Sequence, residues 1–103
     1  AKKQVLATEA NTILGAAKSM YANEGASGSK CYSYQDVINS GLITKSDENY
    51  SGSFLIESNG NGGYSMKVWL SNGTNMIDGK TPDINSEDVI ESSEEASTVC
   101  GKN

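Results

Sequence analysis

Ser53-Phe54-Leu55-Ile56-Glu57-Ser58, then Asn59-Gly60-Asn61-Gly62-Gly63, then Tyr64-Ser65-Met66-Lys67-Val68-Trp69-Leu70-Ser71-Asn72-Gly73-Thr74-Asn75-Met76-Ile77-Asp78 is a stretch that alternates and turns back on itself. Phe54 and Ile56 share one side of an extended chain, as do Tyr64, Met66, Val68 and Leu70. The Asn/Gly run 59–63 is a hairpin loop, and pairing Ser58 with Tyr64 sets Ile56 against Met66 and Phe54 against Val68. Asn72-Gly73 is a second, two-residue turn signal. Centred there, it pairs Val68 with Ile77 and Lys67 with Asp78, the latter as an outer-face ion pair. The prediction is a three-stranded antiparallel meander over 53–78 with one apolar face. It leaves Trp69 and Met76 facing each other on the opposite side, with Leu55 nearby. Either the C-terminal segment folds over them through Ile84, Val89, Ile90 or Val99, or they form a contact patch for another subunit.

Upstream, the period changes. Leu6, Ala10, Ile13, Ala17 and Met20 recur at steps of four and three, and Ala7, Leu14 and Tyr21 make a second stripe beside them. This predicts a helix over 1–23 with an apolar face wider than one small sheet needs to cover. Leu6, Ile13 and Leu14 are therefore candidates, with Leu55, Trp69 and Met76, for contacts to neighbouring subunits. The loop 24–29 ends the helix, within a connection spanning 24–52. Inside that connection a short helix over 34–40 is capped by Ser33 with Asp36 at the third position, and stopped by Gly41. The polar residues 44–52 read as a surface loop. Past Gly79 the chain reads as a C-terminal loop and tail over 79–103, where the acidic segment 83–95 suits either a short helix or an edge strand.

The chain has 103 residues, enough for a single domain, with 36% hydrophobic residues and no histidine. Ser-His and Cys-His nucleophilic pairs are thereby removed, and two cysteines alone are too few for an ordinary zinc site. All eight cationic side chains are lysine, so bidentate guanidinium reading of phosphate or guanine is absent. A net charge of −5 opposes direct binding to nucleic acid or to an anionic membrane surface. No cofactor is expected. Paired carboxylates at Asp47/Glu48 or Glu87/Asp88 are formally able to do acid–base work, but a domain this small offers little cleft to desolvate them, and no enzymatic activity is predicted. Asp83, Asn85 and Glu87 alternate oxygen ligands, as do Asp47, Glu48 and Asn49, which makes each a weak calcium candidate without the EF-hand pattern. Asn72-Gly73-Thr74 and Asn49-Tyr50-Ser51 match the N-glycosylation acceptor pattern.

Cys31 precedes the meander and Cys100 lies close to the last residue. An even pair in a small acidic domain favours an oxidising, cell-surface setting and a bridge, the alternative being two free thiols. On the loop-entropy model such a bridge contributes about 4 kcal/mol.

A long N-terminal helix, a short helix, an antiparallel meander and a tail held by a disulfide together resemble the soluble head of type IV pilins and the related pseudopilins. Glu9-Ala10-Asn11-Thr12-Ile13-Leu14-Gly15-Ala16-Ala17-Lys18 is similar to the exposed half of the pilin spine helix. Tyr34-Gln35-Asp36-Val37-Ile38-Asn39-Ser40-Gly41-Leu42-Ile43 is similar to the family's short helix ending in glycine and an apolar pair. The lysine-only, Asn-rich composition resembles major pilins of the Gram-positive, clostridial type. Many pilins carry both cysteines near the C-terminus; here Cys31 comes before the sheet. The resemblance implies an α+β fold in which the helix packs on a three- to four-stranded antiparallel sheet. It implies a structural subunit of a cell-surface pilus serving adhesion, aggregation or surface motility. Its partners would be further copies of itself in a helical filament, and minor pilins. Membrane attachment would come only through a hydrophobic half-helix upstream of Ala1. The alternative is a pseudopilin of a type II secretion or competence system, whose heads can carry calcium.

Overall fold

The computed structural model describes residues 2–25, 27–43, 50–61 and 63–101. Helix α1 (Lys2–Asn23) leads into β1 (Ser29–Ser33), α2 (Tyr34–Asn39), β2 (Ser51–Ser58), β3 (Tyr64–Ser71) and β4 (Asn75–Lys80). A 3-10 turn (Ser86–Asp88) and β5 (Val89–Glu91) follow. The strands form one antiparallel sheet in the order β1-β2-β3-β4-β5, and α1 packs on one face of it. The fold is α+β, as expected, with five strands where three or four were expected.

Local chemistry explains the start of α2. The Asp36 N–H donates to Ser33 Oγ at 3.2 Å and the Ser33 N–H donates to Asp36 Oδ2 at 3.1 Å, the reciprocal bonds of a capping box. The β2–β3 register is the expected one, with Ser58 opposite Tyr64, Ile56 opposite Met66 and Phe54 opposite Val68.

The second hairpin corrects the sequence reading. Its two-residue turn is Gly73-Thr74, closed by the Asn72 N–H donating to the Asn75 carbonyl at 3.1 Å. Gly73 has φ +87° and occupies the first central position, where a type II′ turn requires glycine. Asn72 is used differently: its Oδ1 accepts from the N–H groups of Thr74 and Asn75 at 2.9 and 2.8 Å. Leu70 therefore lies opposite Ile77 and Trp69 opposite Asp78, so the expected Val68–Ile77 and Lys67–Asp78 pairs do not form. A β-bulge follows, and Val68 is matched with Lys80. Gly79, at φ +73°, is the extra residue. Since the turn moves the pairing by an even step, the inner and outer faces keep their predicted residues.

One strand escaped the sequence reading, and a second was only one of two alternatives left open. β1 has only Tyr32 buried among its five residues, so it shows no apolar alternation. β5 has three residues and grows directly from the 3-10 turn, so both readings of the acidic segment hold in part.

The inner face carries Phe54, Ile56, Val68, Leu70 and Ile77, all fully buried. Both stripes of α1 lie in this core, where the wide face of the helix finds Val37, Ile84 and Val89 as well as the sheet. Each such large aliphatic or aromatic side chain contributes about 1.5–3 kcal/mol by leaving water.

Candidate functional site

On the outer face the covering element is the irregular segment 92–101. Cys31 on β1 and Cys100 in this segment are joined by a disulfide with Cα atoms 6.0 Å apart. Irregular chain must still satisfy its backbone, and here strand serines do so. Ser53 Oγ donates to the Ser97 carbonyl at 2.6 Å and accepts from the Cys100 N–H at 2.9 Å. Ser71 Oγ donates to the Glu94 carbonyl at 2.7 Å, and Ser51 Oγ accepts from the Ala96 N–H at 3.2 Å.

The covered surface is Trp69 with Met76, each 9% exposed and packed with Leu55, Ala96 and Cys100. A Cβ on Gly101 would come within 2.9 Å of the Trp69 ring, so the tail seats its backbone directly against the indole. Of the two readings of this aromatic, the covering one describes the structure, although the residues that cover it differ from those expected. Ile84 and Val89 belong to the helix-side core, and Ile90 and Val99 are exposed.

The residues singled out for subunit contacts therefore sit within the domain. Leu6, Ile13 and Leu14 are at most 3% exposed and face the sheet side, because α2 and the 84–89 segment cover the flank that one small sheet would leave open. Leu55 is partly buried. What α1 presents to solvent is polar or small, apart from Val5 at 62% exposure.

Tyr32, Glu24 and Lys30 form a polar cluster where the end of α1 meets β1. The Tyr32 hydroxyl donates to Glu24 Oε2 at 2.5 Å. Lys30 Nζ lies 3.7 Å from the same carboxylate and 5.9 Å from the Tyr32 ring centroid. Burial first, and then the Glu24 carboxylate, hold the Tyr32 phenol well above its ordinary pKa. The cluster lines a cleft of about 560 Å³ between α1, β1 and α2. A second cleft of about 490 Å³ lies on the opposite side of β1, against the disulfide.

Of the calcium candidates Asp83, Asn85 and Glu87, Asn85 spends its side-chain oxygen on the backbone, with the neighbouring Asp88 beside it. Asn85 Oδ1 accepts from the Glu87 N–H at 2.9 Å, and Asp88 Oδ2 accepts from the Asn85 N–H at 3.1 Å, so these oxygens cap the 3-10 turn. Among the described residues no three Asp, Glu, Cys or His side chains converge as a metal-binding group. Asp47, Glu48 and Asn49 lie outside the described residues, as does the candidate pair Asp47/Glu48. Among the described residues no helix is long and apolar enough to cross a membrane.

Two contributors were missed in the sequence. Asn11 bonds the backbone of Ile84 twice, donating Nδ2–H to its carbonyl at 2.9 Å and accepting its N–H at 3.1 Å. Only its place beside the apolar stripe hinted at a structural task. The serines of β2 and β3 gave no signal in the sequence, because their partners are backbone groups of an unpatterned tail. No family model, curated protein or solved structure matches this chain.

Proposed function

We propose that this domain is the head of a filament subunit of the type IV pilin class, acting by assembly and not by catalysis. The observation that carries the reading is the mode of construction: a 22-residue N-terminal helix is laid on one face of an antiparallel sheet. The opposite face is closed by a tail clamped through Cys31–Cys100. Such a head has its helix packed on the sheet and its tail clamped by the disulfide, and exposes a polar helix face along α1, which suits a rigid unit displayed in many copies. The disulfide fits an extracellular pilus. Other copies of the chain and minor pilins would be its partners, and adhesion, aggregation or surface motility the outcome. The domain by itself stays monomeric on this reading, since the apolar spine would lie in a segment preceding Ala1. A pseudopilin of a secretion or competence system would use the same construction.

The reading is tested at the gene. It requires a leader and an apolar helical stretch of about 20 residues running directly into α1. An unrelated domain or a polar linker at that place overturns it. Immunogold labelling with antibodies against the domain then separates the two forms. Long labelled surface filaments support the pilus, and signal confined to the envelope supports the pseudopilin.

A further inference from the structure

The sheet ends in two edges that differ. β5 is three residues long and follows directly on Glu87 and Asp88, a short and charged edge of the kind that resists pairing. β1 is five residues long, and Ser29, Lys30 and Cys31 are exposed along it. Among the described residues, its ladder partner is β2 alone. A lysine on an edge usually blunts it, but the half-exposed Lys30 side chain leans toward Glu24 and the Tyr32 ring, 3.7 Å from the carboxylate.

Both sides of this edge are hollow. Of the β1 residues, Tyr32 lines only the helix-side cleft and Ser29 and Ser33 only the disulfide-side cleft, while Lys30 and Cys31 border both. The unshared residues follow the alternation of the strand. A chain added beside β1 would place successive side chains alternately into the two clefts. Across them, the carboxylates of Glu24, Asp36 and Glu57 outnumber the single ammonium of Lys30.

We propose that the β1 edge is a strand-addition site for an extended peptide segment of another protein, carrying lysine or arginine among small apolar residues. Main-chain hydrogen bonds along about 17 Å of β1 would hold it, and the acidic clefts would select its charge. The inference is independent of the filament reading.

The test uses the oxidised chain and three capped peptides long enough to span β1. One alternates lysine and valine, one alternates glutamate and valine, and the third is the lysine peptide N-methylated at alternate backbone nitrogens. Amide chemical shifts are followed by NMR. The lysine peptide is expected to shift β1 amides and to slow exchange at alternate β1 positions. The N-methylated peptide is expected to bind about tenfold more weakly or worse, having lost donors without losing charge. Glu57→Lys weakens the lysine peptide. Equal binding of the two lysine peptides reduces the effect to charge and overturns the proposal, as does absence of β1 shifts. Equal binding of the glutamate peptide overturns the charge selection. A concentration-dependent dimer of the chain alone, with β1 protected, gives the edge to a second copy and overturns it too.

Discussion

The two faces of the sheet are closed by opposite means. On the inner face a helix brings its own hydrogen bonds and needs only apolar side chains, so Ile13, Phe54 and Leu70 meet without polar help. On the outer face an irregular tail arrives with backbone groups that need partners, and the two strands under it supply hydroxyls, Ser51 and Ser53 from β2 and Ser71 from β3. The helix face is held by buried area, while the tail face is held by three serines, a small aromatic cluster and one covalent bond. The contrast implies two kinds of failure: a damaged inner face unfolds the domain, and a damaged outer face releases the tail from an otherwise folded sheet.

The largest expected effect is on the inner face. Phe54→Ala removes a fully buried ring and should cost about 4 kcal/mol, a large share of the 5–15 kcal/mol that holds a domain together. Far-UV circular dichroism and Trp69 emission should be lost in one transition; separate transitions would show that the helix side is not the cooperative unit. Cys31→Ser with Cys100→Ser opens a link spanning 69 positions and should cost about 4 kcal/mol or somewhat less. Here Trp69 emission should move to the red under conditions where the helical signal persists. Loss of both together would erase the contrast between the faces. Ser53→Ala leaves the Ser97 carbonyl and the Cys100 N–H without their partner, at about 2 kcal/mol. Denaturant melts followed by Trp69 emission should register it with the disulfide intact. Asn11→Ala, which frees both backbone groups of Ile84, should cost about 1–2 kcal/mol but leave Trp69 emission at its native wavelength, since this clamp lies on the helix side.

The inner face was legible in the sequence because its residues repeat at fixed steps, and α1, α2 and the first hairpin followed from that pattern and from cap and turn chemistry, while the Cys31–Cys100 bridge followed from an even cysteine pair in a small acidic domain. The second hairpin was misplaced by one residue because Asn72-Gly73 is a strong turn pair in isolation. Asn72 instead donates and accepts from outside the turn, and Gly73 takes its first central position. The outer face was largely illegible. Serine on a strand looks the same whether it faces water or a docked carbonyl, and the 92–101 tail has no period because its backbone, not its side chains, makes the contacts. Edge β1 was hidden for a related reason: one buried residue in five leaves no alternation to read. The Glu24–Tyr32 contact joins residues eight apart across a loop, and nothing in local spacing signals it.

The smallest expected effect lies where the two faces meet, at β1. Tyr32 is buried with its hydroxyl on Glu24, and its pKa is raised above the ordinary value of 10.0, first by burial and then by that carboxylate. Below about pH 10 the phenol is protonated in folded and unfolded chains alike, and its contribution to stability is fully present. As pH rises past that value the unfolded chain releases the proton while the folded chain retains it, so stability falls, by at most about 1.4 kcal/mol per pH unit. Tyr32→Phe removes this proton and the bond to Glu24 together. It should cost about 1 kcal/mol at neutral pH and flatten the alkaline decline relative to the unmodified chain. Urea melts across the alkaline range compare the two directly, because the rest of the sequence is common to both. Parallel declines would mean that Tyr32 ionises in the folded chain as readily as in the unfolded one, and that the end of α1 opens from β1 before the sheet does.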